Sequence, residues 1–333
     1  MRPLVLLLAA LTAACALPQT AAPVGPPNSS PPHLATDGFV ADDGAVLPMR
    51  VWKPEAPRKT KAVILALHGF NDYSDSFKTP GEDWAKDGIA TFAYDQRGFG
   101  AAPERGLWAG APRMAADAQE ASAALRARYP RVPLYLLGES MGGAVAIVAA
   151  TGTAGTPMPP VDGLILEAPA VWGRGTMNIF ERVALFAAYH TVPSITLTGR
   201  GLGFKPSDNI EMLRALGRDP LVIKETRVDA IKGLVDLMDD ATASAPKLTA
   251  PMLFLYGERD ELIPLGATKR FLEALPPAAP RTLAYYPQGF HMLLRDLEAP
   301  VVWKDVAAWI DNPEAPLPSG ADRNAEEKLL PRH

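Results

Sequence analysis

Short runs of apolar residues recur along the chain and alternate with longer segments whose apolar residues follow a helical period. The runs are continuous, which is typical of strands that are buried on both faces of a parallel sheet. They cover residues 62–67, 89–94, 134–137, 161–166, 251–256 and 282–286. Helical patterns lie between them, for example over residues 111–128 and 299–310. The alternation predicts an α/β fold in which a mostly parallel sheet carries helices on both faces.

The alternation stops between residues 169 and 250, so the predicted core consists of residues 36–168 and 251–311. The interrupting segment has helical periodicity, scattered prolines and no clear buried strand. Such an insertion in a doubly wound sheet lies above the carboxyl ends of the strands, where ligands bind. We therefore predict a helical cap. Some of its apolar residues either line an acyl-accepting pocket or form the cap's own core: Phe180, Leu185, Phe186, Leu234 and Leu237.

The first residues have the features of an export signal. Arg2 precedes a short apolar segment, residues 4–11, and small residues then lead to Cys15. We predict a signal peptide over residues 1–14, since the apolar segment is too short for a stable membrane anchor. The residues before Cys15 resemble the lipobox of bacterial lipoproteins, which implies cleavage before Cys15 and its acylation. A plain signal peptide, cleaved at an Ala-x-Ala-like site such as residues 14–16, is the alternative.

Export places the folded part of the chain outside the cytoplasm. Ala16 follows the cysteine where some lipoproteins have aspartate, which suggests a lipid anchor in a bacterial outer membrane; the alternatives are periplasmic or secreted protein. Cys15 is the only cysteine, so no intrachain disulfide can form. Residues 15–35 are rich in Pro, Ala and Ser and are predicted to form a flexible tether. Residues 312–333 are polar and contain several prolines, so we predict a disordered tail.

Composition limits the classes of partner. The chain has 333 residues, of which 48% are hydrophobic, and this is enough for one large α/β domain with an insertion. A net charge of -4 gives no reason to expect a nucleic acid partner. Nothing after the signal segment approaches the length of a membrane-spanning helix. No cluster of His, Cys and acidic residues has ligand spacing, so we expect no metal site.

The sequence Gly138-Glu139-Ser140-Met141-Gly142-Gly143 joins a predicted buried strand to an apolar helical segment. Strand, Gly-x-Ser-x-Gly and helix together are the pattern of the nucleophile elbow of serine hydrolases. The turn is strained and directs Ser140 Oγ away from the sheet, and glycines on either side avoid collisions with the neighbouring strand and helix. The pattern predicts Ser140 as the nucleophile.

A serine nucleophile needs a general base, and the chain offers five histidines. His33 lies in the predicted tether, His333 ends the chain and His190 lies in the predicted cap. His68 ends a strand well before the serine. His291 follows the last predicted strand, so it alone fits the order of serine, acid and histidine that α/β-hydrolases share.

The acid that orients the base is expected just after a strand between Ser140 and His291. The sequence Tyr256-Gly257-Glu258-Arg259-Asp260 ends such a strand. Asp260 is the preferred candidate, because the glycine turn and the apolar residues 262–264 place it at the inward bend of the loop. Glu258 and Glu261 are the competing candidates.

An oxyanion hole requires two N–H donors that point at the developing alkoxide. Met141, the residue after the nucleophile, is expected to supply one of them. The other is expected from the loop that follows an earlier strand, His68-Gly69-Phe70-Asn71, with Phe70 as the candidate. His68 is then a structural residue of that loop.

These motifs together resemble the monoglyceride lipase and lysophospholipase branch of the α/β-hydrolases, also called the serine aminopeptidase-like (S33) group. The resemblance runs from about residue 39 to residue 310. The matching sequences are His68-Gly69, Tyr94-Asp95-Gln96-Arg97-Gly98-Phe99-Gly100, the elbow, Asp219-Pro220-Leu221-Val222, Tyr256 to Asp260, and Tyr286-Pro287 through His291.

The resemblance implies an eight-stranded hydrolase sheet with a helical cap, hydrolysis of carboxylic esters and no cofactor. It also implies Ser140, Asp260 and His291 as the catalytic triad, with Phe70 and Met141 as oxyanion donors. The expected substrate is a lipid or other small ester, of the monoacylglycerol or lysophospholipid type. The chain departs from the mammalian enzymes at residues 70–73, Phe-Asn-Asp-Tyr, in a loop that touches the substrate.

Two other functions compete with ester hydrolysis. An aminopeptidase of the same fold would need cap carboxylates that bind a free amino terminus, and Glu181, Asp208 and Glu211 are candidates. A catalytically inactive binding module, tethered at a membrane, is the second. Epoxide hydrolases and dehalogenases need a carboxylate at the elbow, so Ser140 argues against both.

Overall fold

The computed structural model describes residues 17–21, 31–152, 161–199, 201 and 203–330. Within them a central sheet contains β1 His33–Leu34, β2 Gly38–Val40, β3 Val46–Trp52, β4 Ala62–Leu67, β5 Ile89–Tyr94, β6 Leu134–Glu139, β7 Gly163–Glu167, β10 Met252–Gly257 and β11 Arg281–Tyr286. The spatial order is β1-β2-β3-β5-β4-β6-β7-β10-β11. Strands β1 to β3 pair antiparallel with their neighbours, and all other pairs are parallel. A separate antiparallel ribbon joins β8 Thr196–Leu197 to β9 Thr226–Arg227.

Helices connect the parallel strands. They are α1 Lys78–Lys86, α2 Ala111–Arg128, α3 Met141–Ala150, α4 Ile179–Thr191, α5 Ile210–Arg218, α6 Val228–Ser244, α7 Leu265–Glu273, α8 Ala299–Asp311 and α9 Ala325–Leu329. Short 3-10 turns occupy Ser74–Phe77 and Ala245–Lys247.

Alternate residues of the central strands enter two different hydrophobic cores. Val63 and Leu65 of β4 belong to the core beneath α2, α3 and α6, and Ile64 belongs to the core beneath α1 and α8. Each strand is therefore buried on both faces, which explains its continuous apolar sequence. The predicted α/β-hydrolase architecture is confirmed. The sheet has nine strands in the described part of the chain, one more than expected, because the two-residue β1 extends its edge.

Part of the predicted tether pairs with the folded domain instead of remaining free. His33–Leu34 forms β1, and Ala21 N–H donates to the carbonyl of Trp108 at 3.0 Å. Gln19 N–H donates to the Asp229 carboxylate at 3.0 Å. These contacts use the backbone, so the composition of residues 15–35 could not show them. Cys15 and the predicted signal peptide lie outside the described residues.

The prediction of a disordered tail over residues 312–333 is wrong for residues 312–330. Leu317, Ala325 and Leu329 are buried, and Tyr285 N–H of the edge strand β11 donates to Ala321 at 2.9 Å. A few apolar residues in a polar segment therefore cover the open edge of the sheet. Residues 331–333 are outside the described part.

The inserted segment is helical, but it is shorter than predicted. Helices α4 and α5 and the β8–β9 ribbon form the cap, whereas α6 packs on α3 as part of the core. Leu237 is fully buried there and Leu234 packs against the same core, so neither lies in a cap. Phe180 and Phe186 of α4 are 82% and 65% exposed.

Among the described residues, no helix is both long enough and apolar enough to cross a membrane.

Candidate active site

Ser140 occupies the turn between β6 and α3. Its φ and ψ are 52° and -113°, a conformation that costs roughly 1–3 kcal/mol for an L-residue. Backbone hydrogen bonds hold it there: Ser140 N–H donates to Glu167 O at 2.9 Å, and Ala170 N–H donates to Ser140 O at 2.8 Å. The strain is therefore stabilised by the next strand of the sheet, β7.

The glycines of the elbow are required by close backbone approach. A Cβ on Gly142 would collide with the carbonyl of Leu67 at the end of β4, and one on Gly138 would collide with Gly142 itself. The first turn of α3 thus packs directly against two strand ends, as the sequence predicted.

His291 and Asp260 lie together at the same edge of the sheet. His291 Nδ1 is 2.9 Å from Asp260 Oδ2, and both side chains are buried. The second Asp260 oxygen accepts the N–H groups of Leu262 and Ile263 at 2.7 and 2.9 Å. Because Asp260 occupies Nδ1, the neutral imidazole presents Nε2 as a proton acceptor.

The environment of His291 favours its charged form. Burial by itself lowers the pKa of His291, but the nearby carboxylates of Asp260 and Glu139 more than compensate, so its pKa is raised above 6.5. A base with this property stabilises the imidazolium that forms when serine loses its proton.

The competing acids lie elsewhere. Glu258 and Glu261 are both exposed, and Glu261 Oε2 accepts the N–H of Lys205 at 2.7 Å. Only Asp260 is brought to His291, so the inward bend predicted from residues 257–264 is the feature that distinguishes the three acids.

His68 has a structural position. Its Nε2 accepts the N–H of Gln96 at 2.9 Å, and its Nδ1 lies 2.8 Å from the carbonyl of Gly69. This pairing requires a neutral ring with the proton on Nδ1, and burial lowers the pKa of His68 accordingly. His68 therefore fixes the loop that follows β4. His190 lies on exposed α4 against the ring of Phe186.

The predicted oxyanion donors lie on segments next to Ser140. A Cβ on Gly69 would lie 3.6 Å from Ser140 Cβ, so the backbone before Phe70 passes beside the nucleophile. Within the described residues, neither Phe70 N–H nor Met141 N–H donates to a protein acceptor. Met141 is the first residue of α3, where the helix dipole favours negative charge. Two free donors at this place suit an oxyanion hole.

Hydrogen bonds connect the loop after β4 to the C-terminal part of the cap. Asn71 Nδ2 donates to Thr226 Oγ1 at 2.7 Å, and Ile223 N–H donates to Asn71 O at 2.9 Å. Tyr73 Oη donates to the Asp219 carboxylate at 2.6 Å. Asn71 and Tyr73, at which this chain departs from the mammalian sequence, therefore connect this loop to the cap. Residues 68–73 are called the oxyanion loop below, after the role predicted for Phe70.

Sequence reasoning missed a group of buried charges beneath the elbow. Arg295 Nη2 donates to Glu139 Oε1 at 2.6 Å, and Arg295 Nη1 lies 2.7 Å from Asp72 Oδ2. Glu167, the register partner of Glu139 on β7, is also fully buried. No local pattern in the sequence joins residues 72, 139, 167 and 295.

The carboxylates that an aminopeptidase would require are already engaged or exposed. Glu181 accepts the N–H of Asn178 at 2.9 Å in a capping box, and Asp208 accepts the N–H of Leu297 at 2.9 Å. Glu211 lies in the first, exposed turn of α5.

Among the described residues, no group of three or more His, Cys and acidic side chains could hold a metal ion.

Comparison with known proteins agrees with this geometry. The profile of the family described as serine aminopeptidase, S33, matches residues 58–298, from the start of the parallel sheet to the loop after His291. The chain belongs to the S33 serine aminopeptidase family. The resemblance deduced from the sequence is thereby confirmed.

Several lipases are among the proteins and solved structures to which the chain is similar. The chain is 27% identical to rat monoglyceride lipase over 89% of its own length and 96% of the relative's. It is 23% identical to the monoacylglycerol lipase of Mycolicibacterium smegmatis over 82% and 95%. The structure of a monoglyceride lipase from Saccharomyces cerevisiae, in complex with a substrate analogue, matches with a TM-score of 0.69 at 19% identity, covering 87% of this chain and 98% of that one. This last similarity shows the fold.

Proposed function

We propose that this protein hydrolyses carboxylic esters of single-chain lipids, of the monoacylglycerol or lysophospholipid type, through an acyl-enzyme. The observation that carries the proposal is the buried His291–Asp260 pair at the same sheet edge as the strained Ser140. Relatives named as monoglyceride and monoacylglycerol lipases support the lipid substrate.

In the proposed reaction Ser140 Oγ attacks the ester carbonyl while His291 Nε2 takes its proton. The N–H groups of Phe70 and Met141 stabilise the oxyanion, and each contributes on the order of 3 kcal/mol to transition-state stabilisation. The C–O bond to the alcohol breaks as His291 returns the proton to the leaving oxygen. Water, deprotonated by His291, then attacks the acyl-enzyme, and the acid leaves as Ser140 regains its proton.

An exposed apolar face on the cap supports a substrate that resides in lipid. Ile179, Phe180, Val183 and Phe186 of α4 are all more than half exposed, and none of the helix's residues is buried. A contiguous apolar surface of this kind is unusual on a monomer and is typical of an interaction site. We infer that it contacts the lipid that holds the substrate.

The first test is a panel of esters with different chain lengths and head groups. We expect hydrolysis of long-chain monoacylglycerol and lysophosphatidylcholine as well as of soluble butyrate esters. The double variant F180S/F186S should lower activity on vesicle-bound monoacylglycerol by about 100-fold or more, because each ring contributes roughly 1.5–3 kcal/mol of apolar burial and about 1.4 kcal/mol corresponds to a factor of ten. Its activity on soluble butyrate should not change.

Leu297→Ser is the matched control, since Leu297 is 64% exposed but lies outside the cap. Equal losses in the two variants would contradict a lipid-contacting role for α4. Hydrolysis of peptides with a free amino terminus, without hydrolysis of any ester, would favour the aminopeptidase.

We also propose that the protein is exported and anchored to the bacterial outer membrane through an acylated Cys15. An alkyne-labelled fatty acid fed to producing cells should label the wild type, which should sediment with the outer membrane. Cys15→Ser should carry no label and should not sediment. A mature wild-type protein that begins after residue 15 and carries no label would rule out the lipid anchor and leave plain export.

A further inference from the structure

Arg295 joins three of the segments that build the site. It lies four residues after His291, and its side chain is only 8% exposed. Its guanidinium pairs with Asp72 of the oxyanion loop at 2.7 Å and with Glu139, the last residue of β6, at 2.6 Å. Arg295, from the segment that carries His291, is thereby paired with the loop after β4 and with the strand that precedes Ser140.

Both carboxylates also have contacts within the loop after β4. Asp72 Oδ1 accepts the N–H of Tyr73 at 2.9 Å, and the Asp72 N–H donates to Gly69 O at 3.3 Å. Glu139 Oε1 lies against the oxyanion loop, because a Cβ on Gly69 would be 3.4 Å from it. The planar guanidinium presents one Nη atom to each of the two carboxylates at a fixed separation, which the single ammonium of a lysine cannot do.

Glu167 completes the group from the neighbouring strand. It shares the register of Glu139, and its Oε1 accepts the N–H of Leu294 at 3.1 Å. Burial, together with the Glu139 carboxylate, raises the pKa of Glu167 well above its ordinary value. Its surroundings therefore favour the neutral carboxyl group, beside the ion pairs that Arg295 forms with Asp72 and Glu139.

We propose that Arg295 is a positioning residue that holds His291 in register with the elbow and the oxyanion loop, with Glu139 as its fixed counter-charge beneath Ser140. The proposal deepens the proposed acyl-enzyme mechanism and rests on it. Arg295 does not touch the reacting atoms in this account. It acts through the placement of His291, Ser140 and Phe70.

Glu139 and Arg295 also act on the charge of His291 in opposite directions. Glu139 favours the imidazolium and Arg295 disfavours it, while Asp260, from the loop after β10, supplies the main attraction. A change of charge and a change of geometry at this cluster therefore have different signatures in a pH profile.

The experiment compares two variants of the full mature chain on a soluble butyrate ester. Arg295→Lys keeps the positive charge but loses the planar guanidinium that contacts both carboxylates. We therefore expect kcat to fall by about 10- to 100-fold, while KM stays nearly constant. The acidic limb of the kcat/KM profile should not move. Glu139→Gln keeps the shape but removes the negative charge. It should lower kcat as well, and its acidic limb should move to lower pH.

Arg113→Lys is the matched control. Arg113 pairs with Asp42, Asp117 and Glu120 on a different part of the molecule. Its replacement by lysine therefore disturbs a comparable set of ion pairs. It should lower the melting temperature without changing kcat or the pH profile. Melting temperatures of all variants separate loss of fold from loss of rate.

The proposal is overturned if Arg295→Lys retains the wild-type kcat, or if its loss of rate equals that of Arg113→Lys. Wild-type kcat in Glu139→Gln would also overturn it. An inactive wild type, or a fully active Ser140→Ala, would instead refute the proposed function, so the two failures are distinguishable.

Discussion

Replacing Ser140 with alanine should lower kcat/KM for a short-chain ester by about 10⁶-fold, because the reaction loses its nucleophile. The free N–H groups of Phe70 and Met141 remain, so a residual rate about 10³–10⁴ above water is expected. Spectrophotometric hydrolysis of a p-nitrophenyl butyrate ester measures both quantities.

The fold of this variant should be unchanged. Alanine has the same backbone restrictions as serine, and the hydrogen bonds that hold residue 140 are made by its N–H and carbonyl groups. Its melting temperature should therefore match that of the wild type. Retention of more than about one hundredth of the activity in a folded Ser140→Ala protein contradicts the assignment of the nucleophile.

Replacing Asp260 with asparagine should reduce kcat by about 10⁴-fold. The asparagine amide cannot both accept the proton of His291 Nδ1 and compensate the charge of the imidazolium. Because Asp260 is the strongest influence that raises the pKa of His291, its loss lowers that pKa. The acidic limb of the kcat/KM profile, where His291 becomes protonated and inactive, should therefore shift to lower pH.

Glu258→Gln is the control for this prediction, since Glu258 is the neighbouring acid and is exposed. It should retain wild-type activity and the wild-type pH profile. Loss of activity in Glu258→Gln together with an active Asp260→Asn would exchange the roles of the two acids.

The positions of the elbow and of the candidate triad could be predicted from the sequence because each lies at the end of a buried strand. Apolar runs mark the strands of a doubly wound sheet, and parallel strands bring their carboxyl ends to one edge. Ser140, Asp260 and His291 each follow such a run, and the structure places them at that edge. Gly138 and Gly142 identified the turn in the sequence, because the backbone packing at these two positions leaves no space for a side chain.

The parts that could not be predicted depend on contacts between distant residues. Arg295 is separated from Glu139 by 156 positions, and nothing in either segment indicates the other. Helix α6 has the periodicity of a cap helix, but packing against α3 places it in the core. The tail likewise has the composition of a disordered segment, and only the open edge of β11 explains why it folds there.

The most direct test of the account is covalent labelling with a fluorophosphonate followed by peptide mapping. We expect one added probe per wild-type chain, located on Ser140, and no label on folded Ser140→Ala. Labelling at another residue, or equal labelling of the two proteins, would contradict it.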